Sequence, residues 1–360
     1  MGRKVRISTQ AIWNGLKQME DTFMEKVKII GSELANIPWQ EKENPSDIIW
    51  RHKENPIMGW NVTEHSARIY NSAVIPYEDG FKGIFRADHK DGIPQLHIGE
   101  SKDGVHWNIS DESIHWVDEE GKDYPTGYAY DPRLVELDNK YYIIWCTDFG
   151  GPTIGLGYTE DFKTFIRMEN VFIPFNRNGV LFPRKLHDKY LMLSRPSDSG
   201  HTPFGDIFLS ESPDLVYWGK HRRVMTSGQT WWQGKKIGAG AAPIETSEGW
   251  LLFYHGVNGT CNGYVYSIGA AILDKENPAK VLYRTRDYLL TPETPYEVSG
   301  FVPNVAFPCS TLQDAATGRI AIYYGAADTH LCIAYTEVDS LVKYIKENSL
   351  LLPGDAEDYT

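Results

Sequence analysis

Short apolar runs recur along the chain, and each run ends in a group of polar residues. Runs of this length, rich in aromatic and β-branched residues, are typical of buried β-strands. Five of them match one another: FKGIFRADHKDG (81–92), KYYIIWCTDFGG (140–151), KYLMLSRPSDSG (189–200), WLLFYHGVNG (250–259) and RIAIYYGAADTH (319–330). Alignment by their last polar position gives five equivalent residues: Asp88, Asp148, Asp198, Asn258 and Asp328.

Each run belongs to a longer repeating unit of three strands. A first strand and a turn precede it, and Asp138-Asn139 and His187-Asp188 occupy two of these turns, as expected for β-hairpins. A third strand follows, and three of these strands lead into a tail in which an acidic residue precedes an aromatic residue (SKDGVHW, TEDFKTF and ESPDLVYW). Four first strands start at an X-Pro pair: Asp131-Pro132, Phe182-Pro183, Ala242-Pro243 and Phe307-Pro308.

Five copies of a multi-strand unit predict an all-β, five-bladed β-propeller, which we place at residues 46–360 as the catalytic domain. A β-sandwich is the alternative, but sandwiches do not ordinarily contain five in-register copies. Residues 1–45 lie outside the repeat and are predicted to form an N-terminal helical extension, because apolar residues from Trp13 to Ile30 follow three- and four-residue steps. This helix either packs across the propeller, which is the simpler interpretation, or contacts a partner subunit in a homo-oligomer. A second short helix is predicted for VDSLVKYIKEN near the end of the chain.

Composition narrows the function classes. The 360 residues carry 36 Lys and Arg against 48 Asp and Glu, a net charge of −12, which argues against a nucleic-acid partner. The N-terminus has no apolar signal region and no run approaches the ~20 apolar residues of a membrane span, so we expect a cytoplasmic protein without a membrane partner. The four cysteines form no CxxC pair, so reduced thiols are expected and zinc ligation is not.

The repeat places many polar side chains at one mouth of the propeller. In an antiparallel hairpin, the start of the first strand and the end of the second lie at the same edge. First strands contribute Asn71, Ser72, Asp131 and Arg133, and second strands contribute Arg86, Asp88, Asp148, Arg195, Asp198, His255 and Asp328. A ring of polar groups around the axis is the kind of concave site in which ligands bind.

Positive charge collects on one side of this ring. The residues concerned are Arg177, Arg195, Lys236 and His255. Taken singly, each could be an ion-pair partner of a nearby Asp; taken together, they favour an anion site, and a phosphate dianion suits the fork of an arginine. We expect Gly238 and Gly240 to let the backbone approach this ligand closely.

Asp131 is the leading candidate for an acid. It precedes a proline, so it either caps a turn or acts as a general acid facing the phosphate pocket. Arg133 lies two residues further along the same strand, faces the same way, and is expected to orient that carboxylate.

The chain resembles glycoside hydrolase family 130, the five-bladed β-mannoside phosphorylases and their hydrolase relatives. The matching stretches are YNSAVI, FRAD, YDPR, FNRNGVLFPRK, LSRPSD, KIGAGAAPI, YHG and YYGAADT, which span residues 65–335 in the family's order. The resemblance implies that Asp131 is the proton donor, acting through a hydroxyl of the bound mannose. It implies phosphate binding by Arg177, Arg195, Lys236 and His255. It assigns the mannosyl unit to Asn71, Ser72, Arg86, Asp88 and Asp328, and the acceptor sugar to Tyr130, His201, Tyr264 and Phe307.

One acid beside a cation pocket suits phosphorolysis. An inverting glycosidase needs a second carboxylate as base to activate water, whereas phosphate is already an anionic nucleophile. We therefore expect a β-linked mannobiose or manno-oligosaccharide and phosphate to give α-mannose 1-phosphate and a shortened sugar, with β-1,2 linkages favoured over β-1,4 and with no cofactor or metal. The alternatives are a phosphate-independent β-mannosidase, with Asp148 or Asp198 as the base, and a non-catalytic sugar-binding propeller.

Overall fold

The computed structural model describes residues 26–197 and 205–352 of the chain, and these form five mainly antiparallel sheets arranged as blades. Blade I contains β2 (Ser66–Tyr77), β3 (Gly80–His89), β4 (Pro94–Ser101) and β5 (Asn108–Ser113). Blade II contains β6 (Trp116–Val117), β7 (Ala129–Leu137), β8 (Lys140–Asp148), β9 (Pro152–Thr159) and β10 (Phe165–Arg167). Within it, β6 alone pairs in the parallel sense, with β10. Blade III contains β11 (Asn176–Leu181), β12 (Tyr190–Pro196), β13 (Ile207–Ser212) and β14 (Gly219–Met225).

The last two blades complete the ring. Blade IV contains β15 (Lys236–Ala239), β16 (Ile244–Thr246), β17 (Gly249–Thr260), β18 (Gly263–Leu273) and β19 (Val281–Arg284). Blade V contains β20 (Ala306–Gln313), β21 (Arg319–Ala326), β22 (His330–Glu337) and, on its outer edge, β1 (Trp50–Arg51) from near the start of the described chain. A 3-10 helix (Trp231–Gln233) and two α-helices, α1 (Pro295–Val298) and α2 (Val338–Glu347), lie outside the sheets. The five-bladed propeller is thereby confirmed, as is the short helix near the end of the chain.

Turn chemistry explains two of the hairpins read from the sequence. Asp138 and Asn139 have φ of 52° and 60°, and His187 and Asp188 have φ of 49° and 60°. Two successive left-handed residues are the geometry of a type I′ turn, whose twist matches that of the flanking strands.

The shared acidic-aromatic tail forms the same turn in blades I, II and III. In blade I, the Ser101 hydroxyl accepts a hydrogen bond from the Gly104 amide at 2.9 Å, and the Asp103 carboxylate accepts from the two following amides. The indole of Trp107 donates back to the Gly104 carbonyl at 3.0 Å. Equivalent bonds form around Asp161 in blade II and Asp214 in blade III. The acidic residue is therefore a turn-former that satisfies backbone donors.

The N-terminal segment departs from the predicted helix. The positions before residue 26 lie outside the described residues, but from residue 26 to residue 45 the chain is extended or turning and contains no helix. Ile29 forms a β-bridge with Thr246 of blade IV, and the Leu34 amide donates to the Asp314 carboxylate of blade V at 2.8 Å. This strap lies across the base of the propeller, where Ile29 is buried against blades IV and V. In the described part of the chain, no helix is long and apolar enough to span a membrane.

The core lies between neighbouring blades. Trp116 stacks on Trp145 at a ring-centroid distance of 4.6 Å inside a cluster that joins blades I and II, and Phe182 packs edge-on against Trp250 between blades III and IV. Because the apolar faces are used between the blades, the ends of the inner strands are left to line the axis with polar groups.

Candidate active site

Three inner strands carry a β-bulge at the same point. In β2, β7 and β11 the register with the second strand shifts, and at each shift one residue is left-handed: Asn71 (φ 42°), Asp131 (φ 52°) and Asn178 (φ 54°). A bulge re-aims the side chain that it contains, and Asn and Asp tolerate this backbone region better than most residues. The repeat therefore turns three polar side chains toward the axis.

This register corrects the alignment of the X-Pro pairs. Phe182-Pro183 lies beyond the end of β11, four residues after the bulge, so it is not equivalent to Asp131-Pro132. The true equivalent in blade III is Asn178, within the FNRNG stretch, whose Asn-Gly pair is itself a signal for left-handed backbone.

The second strands provide a matching set. The residues facing the position just before each bulge are Arg86, Cys146 and Arg195. This register places Arg86 and Arg195 at equivalent positions of blades I and III. Cys146 occupies the blade II position; it is buried, which raises the pKa of its thiol to about 12, so it is a neutral, apolar wall of the site.

These residues converge on a cavity of about 460 Å³ at the mouth of the propeller. Its lining residues are Asn71, Arg86, Tyr128, Tyr130, Asp131, Cys146, Arg177, Asn178, Arg195, Ser197, Lys236, Tyr266, Val302, Val305, Phe307 and Asp328. A larger cavity, about 790 Å³, lies at the opposite end of blades I and II around exposed turn residues such as Asp79 and Lys102. Of these two cavities in the described part of the chain, the smaller one gathers residues from all five blades, and it brings Asp131 together with Arg177, Arg195 and Lys236, so we take it as the site.

Blades I, II and V supply the half of the cavity that holds carboxylates. Asp131 accepts two hydrogen bonds through Oδ1, from Arg86 Nη1 at 2.7 Å and from Asn71 Nδ2 at 2.9 Å. The Arg86 guanidinium lies over the rings of Tyr70 and Tyr130, at 4.2 and 5.1 Å. The Asp131 carboxylate is therefore held by its neighbours in one orientation.

Two further carboxylates belong to this half. Asp88 is buried and accepts from Arg86 Nε at 2.9 Å, while Asp328, on the turn after β21, lines the cavity. Burial raises the pKa of Asp328 to about 6, the nearby Arg86 opposes this, and the carboxylates of Asp131 and Asp88 add to it. For Arg86, burial acts to lower the pKa, but Tyr70 and the same carboxylates outweigh it, so the guanidinium stays charged.

Blades III and IV supply the half that holds cations. Arg177, Arg195 and Lys236 all line the cavity, whereas the lining carboxylates among the described residues, Asp131 and Asp328, lie in the other half. Burial, together with the charges of Arg195 and Arg177, lowers the pKa of Lys236 to about 8, and burial together with Arg177 lowers that of Arg195 to about 10. Both pKa values are lowered because the buried positive charge is not compensated. A bound anion such as phosphate would compensate it.

His255 stands behind these cations as a neutral group. Arg195 Nη1 donates to His255 Nε2 at 2.9 Å, and since a guanidinium can only donate, His255 Nε2 must accept and its proton must be on Nδ1. Burial, with Arg195 and Lys236 nearby, lowers the pKa of His255 well below its usual value. His255 was predicted among the cations; the hydrogen bond shows instead that it orients Arg195 without adding charge.

Gly238 and Gly240 leave space for neighbouring side chains. A Cβ on Gly238 would lie 2.4 Å from His255 Cε1 and 3.0 Å from Arg195 Nη1, and one on Gly240 would lie 2.7 Å from Pro308 Cγ. The expectation that these glycines let backbone approach a ligand is therefore replaced: Gly238 makes room for the His255–Arg195 pair.

Several predicted residues lie around the cavity and do not line it. The Ser72 hydroxyl donates to the Tyr70 carbonyl, and Asp88 acts through Arg86. Arg133 donates to the backbone carbonyls of Asp131, Pro132 and Gly240, so it fixes the chain at Asp131 and does not touch the carboxylate. Tyr264 is half exposed at the rim, beside the Lys236 ammonium.

Asp148, the predicted alternative base, is exposed and accepts from the Gly151 amide at 3.2 Å in its own turn. Asp198 and His201 lie outside the described residues. Tyr130 and Phe307 line the cavity as expected.

Sequence reasoning missed several lining residues: Tyr128, Cys146, Asn178, Ser197, Tyr266, Val302 and Val305. Asn178 and Tyr128 could have been found, since one sits in the FNRNG stretch and the other just before the YDPR stretch. Val302 and Val305 come from the segment between α1 and β20, which carries no repeat signal. Within residues 26–197 and 205–352, no three His, Cys, Asp or Glu side chains are placed to hold a metal ion.

Comparison with known proteins identifies the class. The model of glycoside hydrolase family 130, described as beta-1,4-mannooligosaccharide phosphorylase, matches residues 36–347. The chain belongs to this family, and it is an enzyme of the class that transfers a glycosyl unit to phosphate.

Individual relatives refine this placement. A beta-1,4-mannooligosaccharide phosphorylase from Ruminococcus albus is 55% identical over 333 residues, which cover 90% of this chain and 99% of the relative. A 1,2-beta-oligomannan phosphorylase from Thermoanaerobacter sp. is 32% identical and covers 76% of this chain and 92% of its own. The solved beta-1,2-mannobiose phosphorylase from Listeria innocua, in complex with beta-1,2-mannobiose, superposes with a TM-score of 0.73 at 25% identity, covering 83% of this chain and 99% of that one.

Proposed function

We propose that this enzyme is an inverting β-1,4-mannooligosaccharide phosphorylase that forms α-mannose 1-phosphate and a manno-oligosaccharide one unit shorter. The main observation in support of this proposal is that the cavity has two distinct halves. Asp131 is held by Arg86 and Asn71 in one half, and Arg177, Arg195 and Lys236 line the other. A mannosyl unit bound at the carboxylates would present its anomeric carbon to a phosphate bound at the cations.

The reaction balances with these groups. A phosphate oxygen attacks the anomeric carbon, the new C–O bond forms as the glycosidic C–O bond breaks, and Asp131 supplies the proton that the leaving sugar oxygen takes. The family's route passes this proton through a hydroxyl of the bound mannose. The proton of hydrogenphosphate restores the acid over the cycle, so no external base is required.

Phosphorolysis is favoured over hydrolysis by the carboxylates. An inverting hydrolase needs a base about 6.5–9.5 Å from its acid, across the sugar, to activate water. Among the described residues, the lining carboxylates are Asp131 and Asp328, and both sit in the half that contains Arg86. Cations line the half where such a base would act, and cations aim and stabilise an anionic nucleophile.

The roles of individual residues follow the two halves. Phosphate is proposed to contact Arg177, Arg195 and Lys236, with His255 as the neutral donor or support behind them. The mannosyl unit is proposed to contact Asn71, Arg86 and Asp328, with Ser72 and Asp88 supporting, while Arg133 fixes the Asp131 backbone. The acceptor sugar is assigned to Tyr130, His201, Tyr264 and Phe307.

The linkage rests on the relatives. The sequence alone favoured β-1,2 bonds, but the relative that is 55% identical is named for β-1,4-mannooligosaccharides, whereas those named for β-1,2 substrates are 32–34% identical. The β-1,2 preference therefore has no support, and β-1,4 replaces it.

Incubation with β-1,4-mannotriose and with β-1,2-mannobiose, each with and without phosphate, tests the proposal. We expect phosphate-dependent α-mannose 1-phosphate from the β-1,4 substrate, and its loss in Asp131→Asn. Equal sugar release with and without phosphate would show a mannosidase, and faster turnover of the β-1,2 substrate would refute the linkage. Homo-oligomer formation stays a prediction, which light scattering can check.

A further inference from the structure

A second arginine stands behind the carboxylate half of the cavity. Arg68 does not line the cavity, but its Nη2 donates to Asp88 Oδ2 at 2.8 Å, and both side chains are largely buried. In the β2–β3 pairing, Arg68 lies directly opposite Asp88, and Tyr70 lies directly opposite Arg86. These two cross-strand pairs lie on the same face of the sheet, separated by the Ile69–Ala87 pair, and they precede the bulge that carries Asn71.

These two pairs form one chain of contacts that leads to the acid. Asp88 Oδ2 accepts from Arg68 and from the Tyr70 hydroxyl, at 2.8 and 2.9 Å. Asp88 Oδ1 accepts from Arg86 Nε, and Arg86 Nη1 reaches Asp131 Oδ1 at 2.7 Å. The orientation of the Asp88 carboxylate therefore decides where Arg86 points its second arm.

An aromatic residue holds Arg68 from the other side. The Phe301 ring lies over the Arg68 guanidinium at 3.5 Å, although Phe301 is 61% exposed. Its own backbone is fixed, because the Phe301 amide donates to Thr329 Oγ1 at 2.9 Å and the next residue, Val302, lines the cavity. A large exposed aromatic residue on an ordered wall is explained by this stacking, which restrains an otherwise mobile side chain.

Arg68 also contributes positive charge to the half of the cavity that holds the carboxylates. The groups that share the carboxylate half are Asp88, Asp131 and Asp328 on the acidic side, Arg68 and Arg86 on the basic side, and the hydroxyls of Tyr70 and Tyr266. Without Arg68, one cation would face three carboxylates. Asp88 would keep Arg86 and Tyr70 as partners, so it would not be left buried and unpaired.

We propose that Arg68 is a positioning residue for the proton donor, acting through Asp88 and Arg86, and that Phe301 holds Arg68 in place. This rests on the proposed role of Asp131. If the wild-type enzyme did not phosphorolyse any β-mannoside, the proposed function would fail; if it did so and the Arg68 variants matched it, only this inference would fail.

The test uses Arg68→Gln, Arg68→Lys and a matched arginine. Arg319 also combines a carboxylate partner, Glu41 at 2.8 Å, with an aromatic face, Trp39 at 4.8 Å, but it lies far from the cavity, so Arg319→Gln is the control. We expect kcat of Arg68→Gln to fall about 10- to 100-fold, as for a sub-ångström to 1 Å misplacement of a reacting group, with the phosphate KM within twofold of wild type. Arg319→Gln should leave both unchanged.

The pH profile separates positioning from a purely structural role. Asp328, which is proposed to contact the mannosyl unit, would do so as an ionised acceptor, and Arg68 is one of the cations that oppose its raised pKa, so Arg68→Gln should move the acidic limb of kcat to higher pH. Arg68→Lys keeps the charge and should return the limb toward wild type while kcat stays low, because a lysine lacks the planar fork and stacks poorly. A limb that does not move, with kcat within twofold of the control, overturns the proposal.

Phe301→Ala keeps the proposal testable even if an Arg68 variant fails to fold, because Phe301 is mostly exposed. We expect a roughly 2- to 5-fold lower kcat in the wild-type background, since a cation–π contact at an exposed site is worth about 0.5–1 kcal/mol. The same change should have no further effect in Arg68→Gln. Equal losses in both backgrounds, or no loss in either, would show that Phe301 does not act through Arg68.

Discussion

Replacing Gly238 by alanine should damage phosphate use selectively. The added Cβ would lie 2.4 Å from His255 Cε1, 2.7 Å from its Nε2 and 3.0 Å from Arg195 Nη1, whereas carbon contacts are normally about 3.5–4.0 Å. His255 cannot retreat, because it is fully buried and its ring packs on Phe307 at 4.5 Å. The His255–Arg195 pair must therefore separate or shift by about 1 Å.

The size of the effect on the phosphate KM follows from the hydrogen bond to phosphate that this shift would remove. One hydrogen bond between Arg195 and a phosphate oxygen contributes about 1.5–3 kcal/mol, as is usual for charged partners. At tenfold per about 1.4 kcal/mol, the phosphate KM should rise roughly 10- to 150-fold. Overpacking should also lower the free energy of unfolding by about 1–3 kcal/mol. Gly238 has no left-handed φ, so backbone strain adds nothing.

Initial rates of mannose 1-phosphate formation at varied phosphate, with saturating mannoside, measure this effect. The matched control is Gly219→Ala, since a Cβ on that strand glycine of blade III would meet no atom within 4 Å. If Gly238→Ala and Gly219→Ala gave the same phosphate KM, neither His255 nor Arg195 would be placed for phosphate as argued above.

Three further outcomes are expected. The pKa of the Lys236 ammonium is lowered to about 8, so the free enzyme loses this charge at higher pH and its phosphate KM should increase there. Lys236→Arg should shift this increase to higher pH, which phosphate kinetics from pH 7 to 9.5 would measure. Glu297 is fully buried and accepts from Arg51 at 2.8 Å, so Glu297→Gln should lower the free energy of unfolding, measured in urea, by about 3 kcal/mol. Glu293 is mostly exposed and lies 3.6 Å from the same arginine, so Glu293→Gln should lower it by less than about 1 kcal/mol. Asn178→Gly and Asn178→Ala should lower kcat alike, but only the alanine, forced to φ near 54°, should lose about a further 1 kcal/mol of stability by thermal unfolding.

The propeller could be predicted from the sequence alone because each repeat is defined by local sequence patterns. Alternating strands, type I′ turns such as Asp138-Asn139, and the turn-forming Asp103 and Asp214 all act over a few residues. The helix prediction that included Val27 and Ile30 was wrong for the described part of the extension. There Val27 and Ile29, two residues apart, pack against blades IV and V as part of an extended strap, whereas Ile30 is 48% exposed, so the three-residue step from Val27 to Ile30 does not mark a buried face.

The candidate site was predictable where hairpin register decides it, as for Arg86 and Arg195. It was harder to predict where a bulge shifts the register: the Asn-Gly pair of FNRNG signals left-handed backbone at Asn178, but the equivalence of Asn178 with Asp131 emerges only from the strand pairing, because a bulge needs only one extra residue. The protonation of His255 also escaped prediction, since it depends on a hydrogen bond between two blades. Arg68 was hidden for a similar reason: its importance comes from a partner directly across the sheet, which the sequence separates by twenty residues.

The pairing of β1 with β22 has a consequence for biosynthesis. Trp50 faces Tyr335, so the outer edge of blade V pairs a strand that precedes blades I to IV in the chain with the blade that follows them. Until blade V emerges, the β1 segment has no strand to pair with, and β2 has no neighbour in β20 to shield it. While blades I to IV are being translated, the half-made ring thus exposes these unpaired edges, and incomplete chains of this kind are prone to aggregate. Circular permutants that begin at β2 and join β1 directly after β22 should fold with higher yield from dilute denaturant, because their closing contact becomes local.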